Sequence, residues 1–169
     1  GLVTNGGFED GTAPWLAGVD NPIGPENVIP DATSPGNDDY FVNVAAAGNP
    51  FDVNLRQRGI TITPDETYTL TFRARSNVNR SMLAGIGLSG GSFANTTESV
   101  ALTPDWQDYT VELTATGFGD ADSRVLFDMG AEVGEVYIDD VSLVVSTGGG
   151  GPGAGDIAIN GGFETGDLS

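Results

Sequence analysis

The sequence predicts an all-β fold, a β-sandwich jelly roll of two antiparallel sheets. The clearest evidence is in residues 67–75, where apolar and polar side chains alternate with a period of two. That alternation is the pattern of a strand with one buried and one solvated side. No segment of ten or more residues has a convincing helical period, and short strand-like segments are separated by turns rich in Gly, Asn, Asp and Pro. Many short strands of this kind are typical of sandwiches and jelly rolls.

The individual elements follow from the same signals, taken in chain order. Residues 1–34 are interrupted by Gly, Pro and Asn, which indicates short strands and long loops. Phe8 is assigned to the core. Trp15 and Trp106 are assigned to the core or its edges, with a place in a binding cleft as the alternative for Trp15. Strands are predicted at residues 41–44, 52–58, 67–75, 83–88, 108–114, 124–129 and 135–145.

A short motif near the start of the chain occurs a second time near its end. Asn5-Gly6-Gly7-Phe8-Glu9 returns as Asn160-Gly161-Gly162-Phe163-Glu164. An identity of this length indicates the opening of a repeated module. We therefore expect one domain at residues 1–146, a glycine-rich flexible linker at 147–156 and the truncated start of a second copy at 157–169.

The charge balance limits the classes of partner. There are 24 acidic residues against 6 basic ones, and the formal net charge is -18. Nucleic acids and anionic membrane surfaces need clustered positive charge, so neither is expected as a partner. No stretch approaches the roughly 20 apolar residues that span a bilayer. The acid excess is also common in proteins from marine or salty settings.

The chain contains neither cysteine nor histidine. Disulfides and thiolate metal sites are therefore excluded, and the commonest general base at neutral pH is absent. The adjacent Asp139 and Asp140 cannot flank one glycosidic bond, because neighbours on a strand point to opposite faces. No enzymatic activity is expected. Calcium remains open, since it prefers carboxylate and carbonyl oxygens.

Five sequence motifs follow one another along the chain. They are Asn5-Gly6-Gly7-Phe8-Glu9, Asn49-Pro50-Phe51-Asp52-Val53-Asn54-Leu55, Tyr68-Thr69-Leu70-Thr71-Phe72-Arg73-Ala74-Arg75, Trp106-Gln107-Asp108-Tyr109 and Val136-Tyr137-Ile138-Asp139-Asp140-Val141-Ser142-Leu143. In this order they resemble the carbohydrate-binding modules of families 4, 9 and 22, over roughly residues 1–146. The resemblance implies a jelly roll without catalytic activity, attached to a secreted glycoside hydrolase. It also implies a structural calcium and frequent tandem copies.

The calcium site is implied by the resemblance at particular positions. Glu9 and Asp139 correspond to acidic ligands of the family, and Gly7 would supply its backbone carbonyl. Further oxygens are expected from the loop before the next strand, at Asp38 and Asp39. Such a cation would join the N-terminal segment to the last strand. The alternative is that Glu9 and Asp139 are solvated turn residues.

The ligand site combines resemblance with the chemistry of sugars. Sugar rings have apolar C–H faces and a rim of hydroxyls, so their sites pair aromatic rings with polar side chains. The resemblance implies that Phe51 and Phe93 stack on sugar, although each could instead fill the core or a loop. Polar partners are expected on the sheet side opposite the core, with a solvated face of ion pairs as the alternative. The candidates are Asn43, Asn54, Arg56, Arg73, Arg75 and Asp128, with Glu98 at the rim.

The sequence therefore predicts a module that binds a polysaccharide chain, of the β-glucan or xylan type, in a cleft on a concave face. It would be a secreted monomer whose own chain also carries a catalytic domain and a second module, so that weak sites act together. The alternative is a structural or adhesive β-sandwich repeat of a large cell-surface protein, with no sugar site.

Overall fold

Two antiparallel sheets face each other in the computed structural model, which describes residues 1–34 and 36–146. The all-β sandwich predicted from the alternation is confirmed. The predicted linker at 147–156 and the start of a second copy at 157–169 lie outside the described residues. None of the described residues belongs to a helix that is long and apolar enough to cross a membrane.

The two sheets have six and five strands. The strands are β1 (Leu16–Ala17), β2 (Asn21–Pro22), β3 (Val28–Pro30), β4 (Asp38–Val44), β5 (Asn54–Ile60), β6 (Thr67–Ser76), β7 (Arg80–Leu88), β8 (Asn95–Leu102), β9 (Gln107–Thr114), β10 (Ser123–Asp128) and β11 (Gly134–Val145). The six-stranded sheet has the order β2-β1-β5-β10-β7-β8, and the five-stranded sheet has the order β3-β4-β11-β6-β9. Two 3-10 turns, Pro25–Asn27 and Pro50–Asp52, precede β3 and β5.

Each of the seven individually predicted strands is present, and β1, β2 and β3 are short strands of the kind expected in residues 1–34. β8 was not predicted. It forms an edge of the six-stranded sheet and pairs with β7 over its whole length. Of its eight residues only Leu102 is buried. An edge strand with so little inward-facing surface has no clear apolar alternation, so its sequence does not distinguish it from a loop.

The core lies between the inner faces of the sheets. Phe72 of β6 meets Phe127 of β10 edge to face at 5.1 Å, which joins the two sheets at their centres. Phe8 stacks on Trp15 at 5.1 Å, and both rings are fully buried, as predicted. Full burial of one such aromatic side chain stabilises a fold by about 1.5–3 kcal/mol. Trp106 is only half-buried and lies outside this core.

The opening motif clamps the N-terminal segment onto β11. Val141 donates its N–H to the carbonyl of Gly6 at 2.9 Å. A Cβ atom at Gly6 would lie 1.9 Å from the Val141 oxygen, so only glycine allows this approach. The Asn5 amide donates to the carbonyls of Gly11 and Ala13, and the Trp15 indole donates to the Asn5 carbonyl. These contacts place Gly7 and Glu9 beside the last strand.

Candidate functional site

Five of the predicted ligand residues lie on or beside the outer face of the six-stranded sheet. They are Phe51, Asn54, Arg56, Phe93 and Asp128. Alternation along β5 and β10 directs Leu55, Val125 and Phe127 into the core and their neighbours to the opposite side of the sheet, where Arg56 and Leu126 are nevertheless covered. Cross-strand pairing then arranges the outward residues in rows. One row holds Asn54, Asp128 and Leu83, the next holds Arg56, Leu126 and Gly85, and Arg124 lies beside Gly87 in the third.

Phe51 projects at the end of this face where the row of Asn54 begins. Its side chain is 63% exposed, although the turn that carries it is firmly held. The Asn54 amide donates to the Phe51 carbonyl at 2.9 Å, and the Gly130 N–H donates to the Pro50 carbonyl at 2.8 Å. An exposed ring on a fixed turn loses little entropy when it stacks on a ligand.

Phe93 occupies the opposite end, in the loop between β7 and β8. Its ring is 49% exposed, and its φ of 54° is unusual for a bulky residue. Its N–H donates to the Gly90 carbonyl at 3.0 Å, and its own carbonyl accepts from the Asn95 amide at 2.9 Å. The two exposed rings therefore bracket one face, next to different rows of polar residues.

Edge strand β8 closes one side of the face over two glycines. A Cβ atom at Gly85 would lie 2.1 Å from the Thr96 carbonyl oxygen, and one at Gly87 would lie 2.6 Å from the Asn95 Cβ. Only glycine permits a backbone to approach so closely. This close approach explains why glycines occupy positions 85 and 87 of β7. β8 thereby forms a wall beside the outward rows.

Two of the arginines on this face are neutralised by aspartates. Arg56 is 6% exposed and pairs with Asp20, which also accepts from Arg58 at 2.7 Å. Arg58 reaches Asp122 at 2.5 Å as well. Burial acts to raise the pKa of Asp20, but hydrogen bonds and charge from the two arginines outweigh it and lower the pKa. Arg56 therefore fixes the β1–β2 hairpin to β5.

Asp128 and Arg124 are the remaining charges of the face. Burial raises the pKa of Asp128, and the charges of Arg124 and Arg56 oppose that rise. Asp128 borders a depression of about 270 Å³ with Pro50, Leu83 and Glu132. Arg124 was not predicted, although the alternation along β10 that selects Asp128 also selects the residue four positions earlier.

Arg73, Arg75 and Asn43 lie on the outer face of the five-stranded sheet, on the other side of the molecule. In β6 and β11, Arg75 pairs with Tyr137, and Arg73 pairs across to β9. The Arg75 guanidinium lies 3.9 Å from the Tyr137 ring centroid and 5.6 Å from that of Trp106. The polar candidates were expected to share one sheet side with the stacking ring Phe51, and for Arg73, Arg75 and Asn43 that expectation is wrong. The three residues belong to the five-stranded sheet, whereas Phe51 precedes β5 of the six-stranded sheet.

Glu98 does not close the rim of the face with Phe51. It pairs with Ala84, whose side chain is buried in the core, so the Glu98 side chain leaves the edge of the sheet on the inner side. There it lines a depression of about 350 Å³ between β8 and β9, together with Thr110 and Glu112. Its predicted place at the rim is therefore wrong.

The predicted metal ligands come together where the opening motif meets β11. A Cβ atom at Gly7 would lie 3.7 Å from the Glu9 side chain and 4.0 Å from an Asp139 oxygen. Glu9 accepts the Asp38 N–H at 2.6 Å. Asp139 accepts from the Asn37 amide at 2.7 Å and is fully buried. The five predicted residues therefore share one region of the fold.

Asp31, which the sequence did not suggest, adds a third buried carboxylate to this region. Burial, together with the charges of Asp31 and Asp139, raises the pKa of Asp39 to about 8. Burial also raises the pKa of Asp139. It acts in the same direction on Asp31, but the hydroxyl and N–H of Thr33 outweigh it, and the pKa of Asp31 is lowered.

The donor set suits a hard cation, although its oxygens are not gathered into a finished coordination shell. No group of three or more acidic side chains among residues 1–34 and 36–146 has metal-binding geometry as it stands. One oxygen of Asp31 and one of Asp39 are nevertheless buried without any hydrogen-bond partner. Buried carboxylate oxygens without partners are costly, and a divalent cation would relieve both that cost and the mutual repulsion.

Comparison with known proteins identifies the class of domain. Residues 1–132 match the family model CBM_4_9, described as a carbohydrate binding domain. The chain belongs to this family. The module is thus a non-catalytic carbohydrate-binding domain, which confirms both the resemblance seen in the sequence and the expectation that it is not an enzyme.

Relatives and solved structures agree with this assignment. The module is 29% identical to endoglucanase C of Cellulomonas fimi over 153 residues, or 86% of this chain and 13% of that protein. It is 34% identical to a cellulose 1,4-beta-cellobiosidase of Acetivibrio thermocellus over 121 residues, or 64% of this chain and 13% of that protein. The chain thus spans a small part of both curated relatives. The second N-terminal cellulose-binding domain of the Cellulomonas fimi beta-1,4-glucanase C superimposes with a TM-score of 0.64 at 25% identity, covering 86% of this chain and 94% of that domain.

Proposed function

We propose that the module binds a single β-glycan chain, of the β-glucan or xylan type, across the outer face of the six-stranded sheet. The observation that carries this proposal is the pair of exposed rings, Phe51 and Phe93, held on fixed turns at opposite ends of one face. Stacked on the apolar faces of sugar rings, Phe51 and Phe93 would each bury apolar area that is otherwise exposed to water.

Polar groups between the rings would set the orientation of the chain. Asp128 can accept hydroxyl hydrogen bonds, and Arg124 can donate to ring or hydroxyl oxygens. The Asn54 amide oxygen and Arg56 Nε are buried without a hydrogen-bond partner among the described residues, and buried polar atoms of this kind call for an ordered water. The wall formed by β8 favours one chain lying along the face over a flat crystalline surface.

The module would serve as an accessory domain of a secreted enzyme. Its two curated relatives are named as an endoglucanase and a cellobiosidase, and each is much longer than the matched segment. A tethered module raises the local concentration of substrate around a catalytic domain, and a second copy on the same chain would add to this effect. We propose that the module acts as a monomer within that chain.

The test is binding to a panel of soluble polymers, measured by calorimetry and affinity electrophoresis. Laminarin, mixed-linkage β-glucan, xylan, agarose and alginate are compared for the parent and for a Phe51→Ala/Phe93→Ala double variant. We expect binding to a β-glucan or to xylan, and its loss in the double variant. The control is Val133→Ala, another exposed apolar residue outside the site. Failure of the parent on the whole panel would leave the adhesive alternative.

We also propose that one calcium ion is held by Asp39 and Asp139, with Asp31, Glu9 and the Gly7 carbonyl as the further oxygens. When bound, it would supply positive charge between buried carboxylates and join the opening motif, β4 and β11. Asn37 and Thr33 already orient two of the carboxylates by hydrogen bonds. Its role would be structural, because the site lies apart from the rows that contact the ligand.

Thermal unfolding tests the calcium proposal. With calcium at a hundredfold excess over Kd, binding to the folded state adds about 2.7 kcal/mol of stability, which is a rise in Tm of about 5 °C or more. The Asp39→Asn variant should lose most of that rise. Asp105→Asn, which removes an exposed charge elsewhere, should keep it. A parent Tm that is the same with calcium and with excess chelator would refute the proposal.

A further inference from the structure

Arg124 is the one arginine of the six-stranded face without a carboxylate partner among the described residues. Arg56 and Arg58 are both paired with Asp20, and Arg58 also with Asp122. Arg124 instead donates Nε to the Leu88 carbonyl at 2.9 Å, which fixes the orientation of its guanidinium. Both Nη groups are left for other acceptors. Its guanidinium carbon lies 5.9 Å from the centroid of the exposed Phe93 ring.

The local electrostatics make this charge unusual. Arg124 is half-buried, and burial together with the nearby charge of Arg56 lowers its pKa. An arginine that is partly desolvated and repelled by another arginine is stabilised by any anion that reaches it. Asp128 and Asp20 oppose this lowering from a distance, but neither forms a salt bridge with Arg124.

The other end of the face holds charges of both signs. Asp128 lies four residues after Arg124 on β10, or about 13 Å away along an extended strand. It borders the depression that also contains Glu132 and Arg80, close to the turn that carries Phe51. The end beside Phe51 therefore has two carboxylates with one arginine, whereas the end beside Phe93 has an arginine without a salt bridge among the described residues. A ligand carboxylate is consequently better accepted at the Phe93 end.

We propose that the Phe93 end of this face binds the carboxylate of a uronic acid unit, with the two Nη groups of Arg124 as donors and Phe93 as the stacking surface. This inference rests on the proposed function and names its substrate class more narrowly. A planar guanidinium with two free N–H groups matches a carboxylate in a bidentate arrangement. The neutral part of the chain would continue toward Phe51 and Asp128.

The overall charge limits how many uronates the polymer can carry. A formal net charge of -18 repels a dense polyanion, whereas one isolated carboxylate meets only the local field of Arg124. The structure therefore favours a neutral glycan with sparse acidic units over a polyuronate such as alginate.

Two matched polymer pairs test the inference. One pair is glucuronoxylan and the same preparation after its carboxyl groups are reduced to alcohols. The other is mixed-linkage β-glucan lightly oxidised at C6 and the untreated polymer. At low salt we expect the acidic member of the pair that binds to be held about tenfold more tightly, the size of one charge-assisted hydrogen bond. Because Arg124 is only half-buried, salt still screens its attraction for a carboxylate, and the preference should shrink as salt rises.

The variants locate the effect. Arg124→Gln should abolish the preference for the acidic polymer, whereas Arg58→Gln, which removes an already neutralised charge of the same face, should keep it. A preference that persists in Arg124→Gln, or one that ignores salt, overturns the inference. Equal affinity within each pair also overturns it but leaves the proposed function in place. If none of the four polymers binds, the proposed function itself fails.

Discussion

The outer faces of the two sheets carry similar residues but use them differently. On the five-stranded sheet, Arg73 and Arg75 lie over the Trp106 ring, and Arg75 also lies over Tyr137. On the six-stranded sheet, Phe51 and Phe93 project from turns, and Arg124 has no carboxylate partner among the described residues. Arginines and aromatic rings are therefore present on both faces, but the rings of the six-stranded face are more exposed. Phe93 has a guanidinium 5.9 Å from its centroid, that of Arg124, and Phe51 has none among the described residues.

The difference shows that residue composition does not identify a sugar site by itself. A ring face that is covered by a guanidinium has already formed its cation–π contact and is less available to a sugar. Such a stack contributes to stability. A ring that is held by its backbone and mostly exposed, as Phe51 is, contributes little to stability, and it is available for binding. The two faces should consequently respond to mutation in opposite ways.

The largest effect is expected from Gly85→Val on the six-stranded sheet. The new side chain would collide with the Thr96 carbonyl, so β8 would have to move away from β7. We expect a loss of about 1–3 kcal/mol in the free energy of unfolding, as in overpacked cores. Chemical denaturation measures it. Thr71→Val, at a half-exposed outward position of β6, is the matched control and should stay within about 0.5 kcal/mol of the parent.

The Gly85→Val variant tests the shape of the six-stranded face, where β8 lies over Gly85. If Gly85→Val were as stable as Thr71→Val, β8 would not lie over the glycines, and the wall of the proposed cleft would be lost with it.

Next in size is a pair of truncations with opposite expected effects. Trp106→Ala removes a half-buried ring and two cation–π contacts, so it should cost about 1–2 kcal/mol of stability while affinity for glycan stays within about twofold. Phe51→Ala should leave stability within about 0.5 kcal/mol and reduce affinity about tenfold. Calorimetric titration and denaturation of both variants measure the four quantities. A Trp106→Ala variant that bound less tightly at unchanged stability would move the site to the five-stranded face.

The sequence was sufficient for the fold because the fold depends on local alternation. In residues 67–75, inward and outward side chains alternate along the sequence itself, and β6 forms where that alternation predicts it. The edge strand β8 was missed because its side chains are mostly exposed, and exposure leaves no apolar pattern to detect.

The site was harder to predict from the sequence, because it depends on which sheet each strand joins. Alternation places Arg75 and Asp128 equally well on an outward side, but it does not say that β6 and β10 belong to different sheets. Glu98 and Asp31 were misplaced or missed for the same reason, since both positions are set by contacts distant in sequence. Phe51 could be selected because a large apolar ring in a turn is visible without knowledge of the pairing.

The smallest expected effect is a difference in how pH changes the stability contributed by one arginine on each face, Arg58 and Arg75. Arg58 lowers the pKa of Asp122, chiefly by a hydrogen bond, and contributes to lowering the pKa of Asp20. Carboxylates with a lowered folded pKa contribute stability above their unfolded value of about 3.9, and that stability is lost as pH falls through the folded value. Arg58→Gln should therefore be slightly less stable than the parent at pH 7, and the difference should vanish below about pH 3. Arg75→Gln removes a guanidinium that is stacked on Tyr137 and Trp106, so its deficit should be the same at both pH values. Melting curves of the parent and both variants between pH 7 and about pH 3 measure these differences. If the deficit of Arg75→Gln disappeared in acid, its stabilising contact on the five-stranded face would be with a carboxylate rather than with the rings.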